Sequence, residues 1–244
     1  MTSLLREKIN YPSDKCFLQE AAMGCDATLR VSGTRACFSC AEFKTERSSY
    51  PVITPSAARG IFEAVYWRPR LRWVIDQIHV LKPIRFQSLT RNEIGDRVSA
   101  ISVRHAKQSG DIQSLSRNAA DIRQRRATTF LVDVDYLISA RLRLTDDAPS
   151  SDRLDEPLTI FRRRARRGQY FRSPYLGNRE FPADVALWEG PLPKHQLPDD
   201  QRDRDLGQVL LDIDYANNHA ARFFHAILRD GVISVPPFVT AVRP

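Results

Sequence analysis

Phe130-Leu131-Val132-Asp133-Val134-Asp135-Tyr136-Leu137-Ile138-Ser139-Ala140-Arg141-Leu142-Arg143-Leu144 is the stretch whose reading decides the fold class. From Phe130 onward Phe130, Val132, Val134, Tyr136, Ile138, Ala140, Leu142 and Leu144 alternate with residues that are often polar. Side chains alternate across a strand with period two, so the pattern predicts a long, half-buried antiparallel strand. Upstream, residues 71–83 carry Trp73, Val74, Ile75, Ile78, Val80 and Leu81 with little turn chemistry and read as a second strand. Residues 28–31 and 36–38 are shorter β-prone runs. Between these strands Thr54 is a good helix N-cap with Pro55 at the first helical position. Ala58, Ile61, Phe62 and Val65 then mark one face of a helix that ends before Pro69.

Residues 91–126 are polar and carry at most one helix. After a loop at 146–155 a second helix runs from Pro157, in its first turn, to a stop at Gly168. Short β pieces follow at 185–188 and 208–215, with a hairpin over 223–235 turned at Asp230-Gly231. The expected architecture is α+β: a ferredoxin-like split βαβ core with a small C-terminal antiparallel β-sheet. The chain divides into an N-terminal extension (1–26), a ferredoxin-like domain (27–180) and a small β-sheet domain (181–244).

The 244 residues are 42% hydrophobic, and no apolar run approaches the ~18 residues that span a bilayer. The first 26 residues lack the layout of a signal peptide, so the expected location is the cytoplasm. Lys plus Arg number 37 against 29 Asp plus Glu, a net charge of +8, and almost all of the positive charge is Arg. Arg suits phosphate because its planar fork donates two parallel hydrogen bonds and its face stacks on bases. A basic composition alone also fits an Arg-rich genome, so placement has to decide.

The densest placement is Arg162, Arg163, Arg164, Arg166 and Arg167, five arginines in six positions of the second helix. No acidic residue follows Glu156 in that helix, and like charges this close destabilise it unless a polyanion neutralises them. Arg123, Arg125 and Arg126, just before the long strand, are a second cluster, expected on the same side; Arg59 and Arg68 complete the candidate RNA-binding set. Tyr170, Phe171 and Tyr175 accompany the arginines, and exposed aromatics beside Arg are what unpaired bases stack on. Trp67 reads as a core residue.

Cys37 and Cys40 form a single CxxC, with Cys16 and Cys25 at irregular spacing before it, which predicts reduced thiols and no structural metal. Asp133/Asp135 and Asp212/Asp214 each face one side of a strand and read as solvent-facing or Arg-paired. The chain has no phosphate-cradling glycine loop, no GxSxG and no HExxH. No cofactor is expected.

The order of motifs resembles a known family. Residues 46–60, followed by Glu63-Ala64-Val65-Tyr66-Trp67-Arg68-Pro69, look like the leading block of the CRISPR-associated Cas-five family, d subtype, of type I-C systems. Val80-Leu81-Lys82-Pro83-Ile84, Arg91-Asn92-Glu93, Asp133-Val134-Asp135-Tyr136, the Arg163–Gln169 run, Tyr175-Leu176-Gly177 and Arg179-Glu180-Phe181-Pro182-Ala183 fit the same family in order. The resemblance implies an RNA-recognition-like fold and metal-independent cutting of precursor crRNA. It also implies retention of the 5′ handle within the Cascade complex, beside its backbone and large subunits, with target DNA met through that complex. Cleavage in the family is attributed to a Tyr, a Lys and a His working by general acid–base catalysis. Residue by residue, the Tyr is Tyr66. Where the Lys-His pair should stand, this chain has Glu156-Pro157, and Lys194-His195 is too far along to match. Two readings stay open: a nuclease with a reassembled site, Tyr66 with Arg162 and Arg163, or a purely structural crRNA-capping subunit with cleavage done by another nuclease.

Overall fold

Thr54 opens the first helix as its sequence predicts, its hydroxyl accepting from the Ala57 N–H at 3.2 Å, and Pro55 takes the first helical position. In the computed structural model, which describes residues 25–43, 46–145, 148–149, 151–215 and 217–240, this helix is α1 (Pro55–Val65). Ala58, Ile61, Phe62 and Val65 are all buried. Before it come β1 (Ala27–Ala36) and the two-residue β2 (Arg47–Ser48). After it the chain runs through β3 (Leu71–Val80), β4 (Phe86–Ile94), α2 (Ala100–Ser109), β5 (Arg123–Leu144), α3 (Asp155–Arg166) and β6 (Asp184–Leu187). It ends with α4 (Asp199–Arg202), β7 (Arg204–Asp214), β8 (Ala220–Leu228) and β9 (Val232–Ser234).

One large sheet has the order β6-β1-β5-β3-β9, with β2 and β4 also pairing along β5; β7 and β8 form a second, two-stranded sheet. The protein is therefore α+β, with a large and mainly antiparallel sheet and a small second one. β6 and β9 both lie beyond residue 181 yet pair in the large sheet, with β1 and β3. The turn at Asp230-Gly231 exists, both residues having positive φ, but its arms part: β8 pairs with β7 and β9 with β3.

The long strand starts seven residues earlier than its apolar alternation, at Arg123. Asp133 divides it. There the backbone turns left-handed (φ 54°), and the neighbour of β5 changes from β4, opposite residues 123–131, to β3, opposite 136–144. β4 escaped the sequence reading because its half-buried side is Leu89, Arg91 and Glu93. Arg91 donates to Glu180 at 2.7 Å and Glu93 pairs with Arg47 at 3.2 Å. A strand held by ion pairs and backbone ladder carries no apolar period.

Nor is β5 half-buried. Residues 134–140 are buried on both faces. Tyr136, Ile138, Ala140 and Leu142 face the helices, where Phe62 of α1, Trp73 of β3 and Phe161 of α3 form one aromatic cluster with centroids 4.4–5.6 Å apart. The other face is covered by ion pairs: Arg30–Asp135, Arg141–Asp76, and Lys82 and Arg85 on Asp133. The stems of these long side chains shield the strand while their charges are paired.

The second sheet is fastened to the first by charge as well as by packing. Asp212 of β7 accepts Arg59 of α1 at 2.7 Å and stands 3.7 Å from Arg72 of β3. Val209, Leu211, Phe224, Ala226 and Leu228 join the same apolar core as the large sheet.

Candidate nucleic-acid interface

α3 stops where its sequence says it should. Gly168 has φ 60°, and Gln169 N–H returns to the Arg164 carbonyl at 3.0 Å. At its other end Asp155 and Glu156 occupy the first turn, where carboxylates suit the partial positive charge of a helix N-terminus. That placement accounts physically for Glu156 at the position where the family resemblance wants a lysine.

The five arginines of α3 have different fates. Arg162 donates to the Asp26 carbonyl at 2.7 Å. Arg164 donates to the Val65 carbonyl at 3.2 Å. Arg166 is paired with Glu189, at 3.1 and 2.5 Å, so an acidic partner absent from the helix arrives from the segment after β6. That ion pair raises the Arg166 pKa and lowers that of Glu189. Arg163 and Arg167 are exposed and have no partner among the described residues. Sequence reasoning counted five arginines without a carboxylate because it could see partners only within the helix.

Arg123 and Arg125 are exposed at the end of the β4–β5 ribbon, opposite Ile94 and Asn92, while α3 packs on β6 and α1. Arg126 lies on the other side of the strand, donating to Gln124 at 2.9 Å. Arg59 is committed to Asp212 and, at 3.5 Å, to Glu63.

Tyr66 is the C-cap of α1 and only 4% exposed. Arg164 lies over its ring at 5.1 Å and Arg68 at 5.6 Å, within cation–π range. Its phenol oxygen is buried with no hydrogen-bond partner among the described residues. Buried tyrosine hydroxyls are ordinarily bonded, so this one is an unmet hydrogen-bonding group on a ring that two guanidinium groups cover.

Trp67 corrects the sequence reading: it is 52% exposed, and Phe171 is 89% exposed. Trp67 lies past the helix cap and off the Ala58/Ile61/Phe62/Val65 stripe, a signal that could have found it. Phe171 donates its N–H to the Ala64 carbonyl at 2.8 Å, which fastens it to the same end of α1. Two large exposed rings thus stand beside Arg68, Arg164 and the C-terminal end of α3.

A cleft of about 890 Å³ opens next to this surface, lined by Arg68, Arg70, Arg153, Asp152 and Glu156-Pro157. No histidine is among the described residues that line it. His195 is engaged elsewhere, its Nε2 at 3.1 Å from Asp230 and its Nδ1 accepting the Leu197 N–H at 3.3 Å. Arg153 was not among the sequence candidates, because only the fold brings the 151–157 segment against residues 68–71.

No group of three or more metal-ligating side chains occurs among the described residues, and Cys16 lies outside them. Cys37 and Cys40 are free thiols; burial pushes both upward, Cys40 to about 11. Asp133, Asp135, Asp212 and Asp214 all pair with Lys or Arg.

Residues 28–236 match the family model for CRISPR-associated protein (Cas_Cas5), Cas5d type. A CRISPR pre-crRNA endoribonuclease Cas5d of Mannheimia succiniciproducens is 47% identical over 212 residues, 86% of this chain and 94% of that protein. The protein of the same name from Thermus thermophilus is 37% identical, over 85% of this chain and 90% of its own length. A crystal structure of a CRISPR-associated protein superposes with a TM-score of 0.61 at 22% identity, covering 88% of this chain and 93% of that one, a likeness of fold. With the family model matched over most of its length and two relatives aligned nearly end to end, this chain belongs to the Cas5d family of CRISPR-associated proteins.

Proposed function

We propose that this chain binds precursor crRNA and grips the 5′ handle of the mature crRNA as a subunit of a type I-C Cascade complex in the cytoplasm. Its neighbours there are the backbone and large subunits, and it meets target DNA through the complex. The observation that carries this reading is the surface at the C-terminal ends of α1 and α3: Phe171 is fastened to Ala64, Arg68 and Arg164 lie over Tyr66, and Trp67, Phe171, Arg163 and Arg167 are exposed. Guanidinium groups neutralise phosphates while the rings stack on unpaired bases. No helix among the described residues is long and apolar enough to cross a membrane, in keeping with this setting. The finer fold reading, ferredoxin-like, is supported by the run β1-α1-β3-β5-α3-β6 and by the order β6-β1-β5-β3 in the sheet.

A second reading, that the chain also cuts the repeat without a metal, is favoured by the unpartnered hydroxyl of Tyr66, whose ring two arginines cover. In that reaction the ribose 2′ oxygen attacks the phosphorus and the 5′ oxygen leaves, one group removing the 2′ proton and another protonating the leaving oxygen. Arginines can hold the pentavalent phosphorane, but Glu156-Pro157 supplies neither the lysine nor the histidine of the family pattern. General acid–base groups contribute ~10²–10⁴-fold each, so unaided cleavage is expected to be slow or absent.

The test is a gel assay with the cognate repeat hairpin and a chelator, comparing the natural chain with Tyr66→Phe. Tight binding by both without cleavage supports the handle-gripping subunit. Efficient cleavage that Tyr66→Phe abolishes establishes the nuclease, and absence of binding overturns both readings.

A further inference from the structure

A second cleft, of about 420 Å³, opens between α1, the turn after α3, and β7. It shares no lining residue with the cleft at Glu156. Its floor is α1 at Gly60 and Ala64; a side-chain carbon added at Gly60 would meet nothing within 4 Å. Its far wall is the turn at 174–178, which is firmly held. The Leu176 carbonyl accepts the Cys37 N–H at 3.1 Å, and the Leu176 N–H donates to the Phe181 carbonyl at 2.8 Å. Gly177, at φ 81°, presses so close that a Cβ would stand 1.9 Å from the Cys37 carbonyl oxygen, so only glycine lets the wall sit there.

The lining chemistry is specific. Tyr175 and Tyr215 line the cleft, and so does the exposed Arg172. Asn178 also lines the cleft, and its side-chain nitrogen is buried with no hydrogen-bond partner among the described residues. A buried amide donor without an acceptor is unfavourable unless something brings an acceptor to it. The volume falls within the ~300–1,000 Å³ of small-ligand sites. An occupant that is flat, stacks on tyrosine and offers carbonyl acceptors at its edge has the chemistry of a nucleobase.

The cleft is also continuous with the surface already described. Arg172 directly follows Phe171, and Ala64, whose carbonyl holds Phe171, forms part of the cleft floor. We propose that the cleft takes one unpaired nucleotide of the repeat RNA, its base against Tyr175 and Tyr215, an edge carbonyl facing Asn178 and its phosphate toward Arg172. This rests on the RNA-binding reading above and gives it a position-specific pocket.

The experiment is an abasic scan: repeat RNAs lacking one base at a time, bound to the natural chain and to Gly60→Leu. Leucine is the better helix former and enters open space, so an unchanged or raised thermal midpoint shows that the variant is folded. The natural chain is expected to lose about tenfold or more in affinity at one position. Gly60→Leu should bind intact RNA weaker by that same factor and no longer distinguish the abasic RNA at that position. If the natural chain binds the repeat but no single abasic position matters, or if Gly60→Leu keeps the full discrimination, the pocket is overturned while RNA binding stands. If the natural chain does not bind the repeat at all, the RNA-binding reading itself fails. As an independent arm, Asn178→Ala should reduce the penalty at that position alone, and an unchanged penalty would remove Asn178 from recognition.

Discussion

Asp133 occupies a backbone conformation that most residues avoid, and it does so with two cations on its carboxylate. Its φ of 54° is tolerated by aspartate, whose short polar side chain bonds locally. Lys82 and Arg85 each reach it at 2.7 Å. The hydrogen bond from Lys82, then the charges of Lys82 and Arg85, hold its carboxyl below the usual carboxylate range. Asp133→Asn keeps the left-handed tolerance and loses the charge. Because the site is half exposed, the expected loss is only about 1 kcal/mol. Asp133→Val should lose a further ~1–2 kcal/mol from backbone strain. A depressed carboxylate stabilises the fold above its unfolded pKa of ~3.9, and that contribution is lost as pH falls through the folded value. Urea unfolding should therefore show a constant gap between the natural chain and Asp133→Asn from pH 7 to about 5 that narrows below ~4. A gap that narrows already between pH 7 and 5 would mean that the ion pairs are not its cause.

Among the elements, α3 shows how a charge run is sorted by its neighbours. Arg162 and Arg164 are used on backbone carbonyls and Arg166 on Glu189, leaving Arg163 and Arg167 for an outside partner. Removing a contact to single-stranded phosphate lowers the slope of log affinity against log salt by roughly 0.7. Arg163→Ala with Arg167→Ala should accordingly reduce the slope for repeat RNA by about 1–1.5, and Arg166→Ala by well under 0.5. Filter binding over a salt series measures this. Equal effects at the three positions would mean that the Arg166–Glu189 pair opens to meet the RNA. The element most nearly hidden from the sequence was β4, since Arg91 and Glu93 on its half-buried side find their partners, Glu180 and Arg47, far along the chain.

At the scale of the whole molecule, Asp212 is the joint between the two sheets. It lies between Arg59 of α1 and Arg72 of β3, all three side chains at most 16% exposed. Removing one member of a buried charge cluster leaves the others desolvated without their partner, so Asp212→Ala should cost about 3 kcal/mol. Hydrogen exchange should accelerate first in β7 and β8, with β1 and β5 protected until global unfolding. Uniform acceleration throughout the chain would instead make the two sheets one cooperative unit.

The sequence by itself determined the elements whose signals are local: the capped helix at Thr54-Pro55, the stop at Gly168, the apolar half of β5 and the left-handed turn at Asp230-Gly231. Each depends on dihedral preference or side-chain period within a few residues, and each stands in the structure. It also carried the family, through motifs in order. The tertiary structure alone decided what depends on partners distant in sequence. It turned Trp67 outward, gave Arg166 a carboxylate and covered the second face of β5 with ion pairs. It sent the arms of the 223–235 turn into different sheets and brought Arg68, Arg70 and Arg153 together beside Glu156. The physical reason is that burial and charge pairing are properties of the space around a side chain, which a single stretch of chain does not enclose.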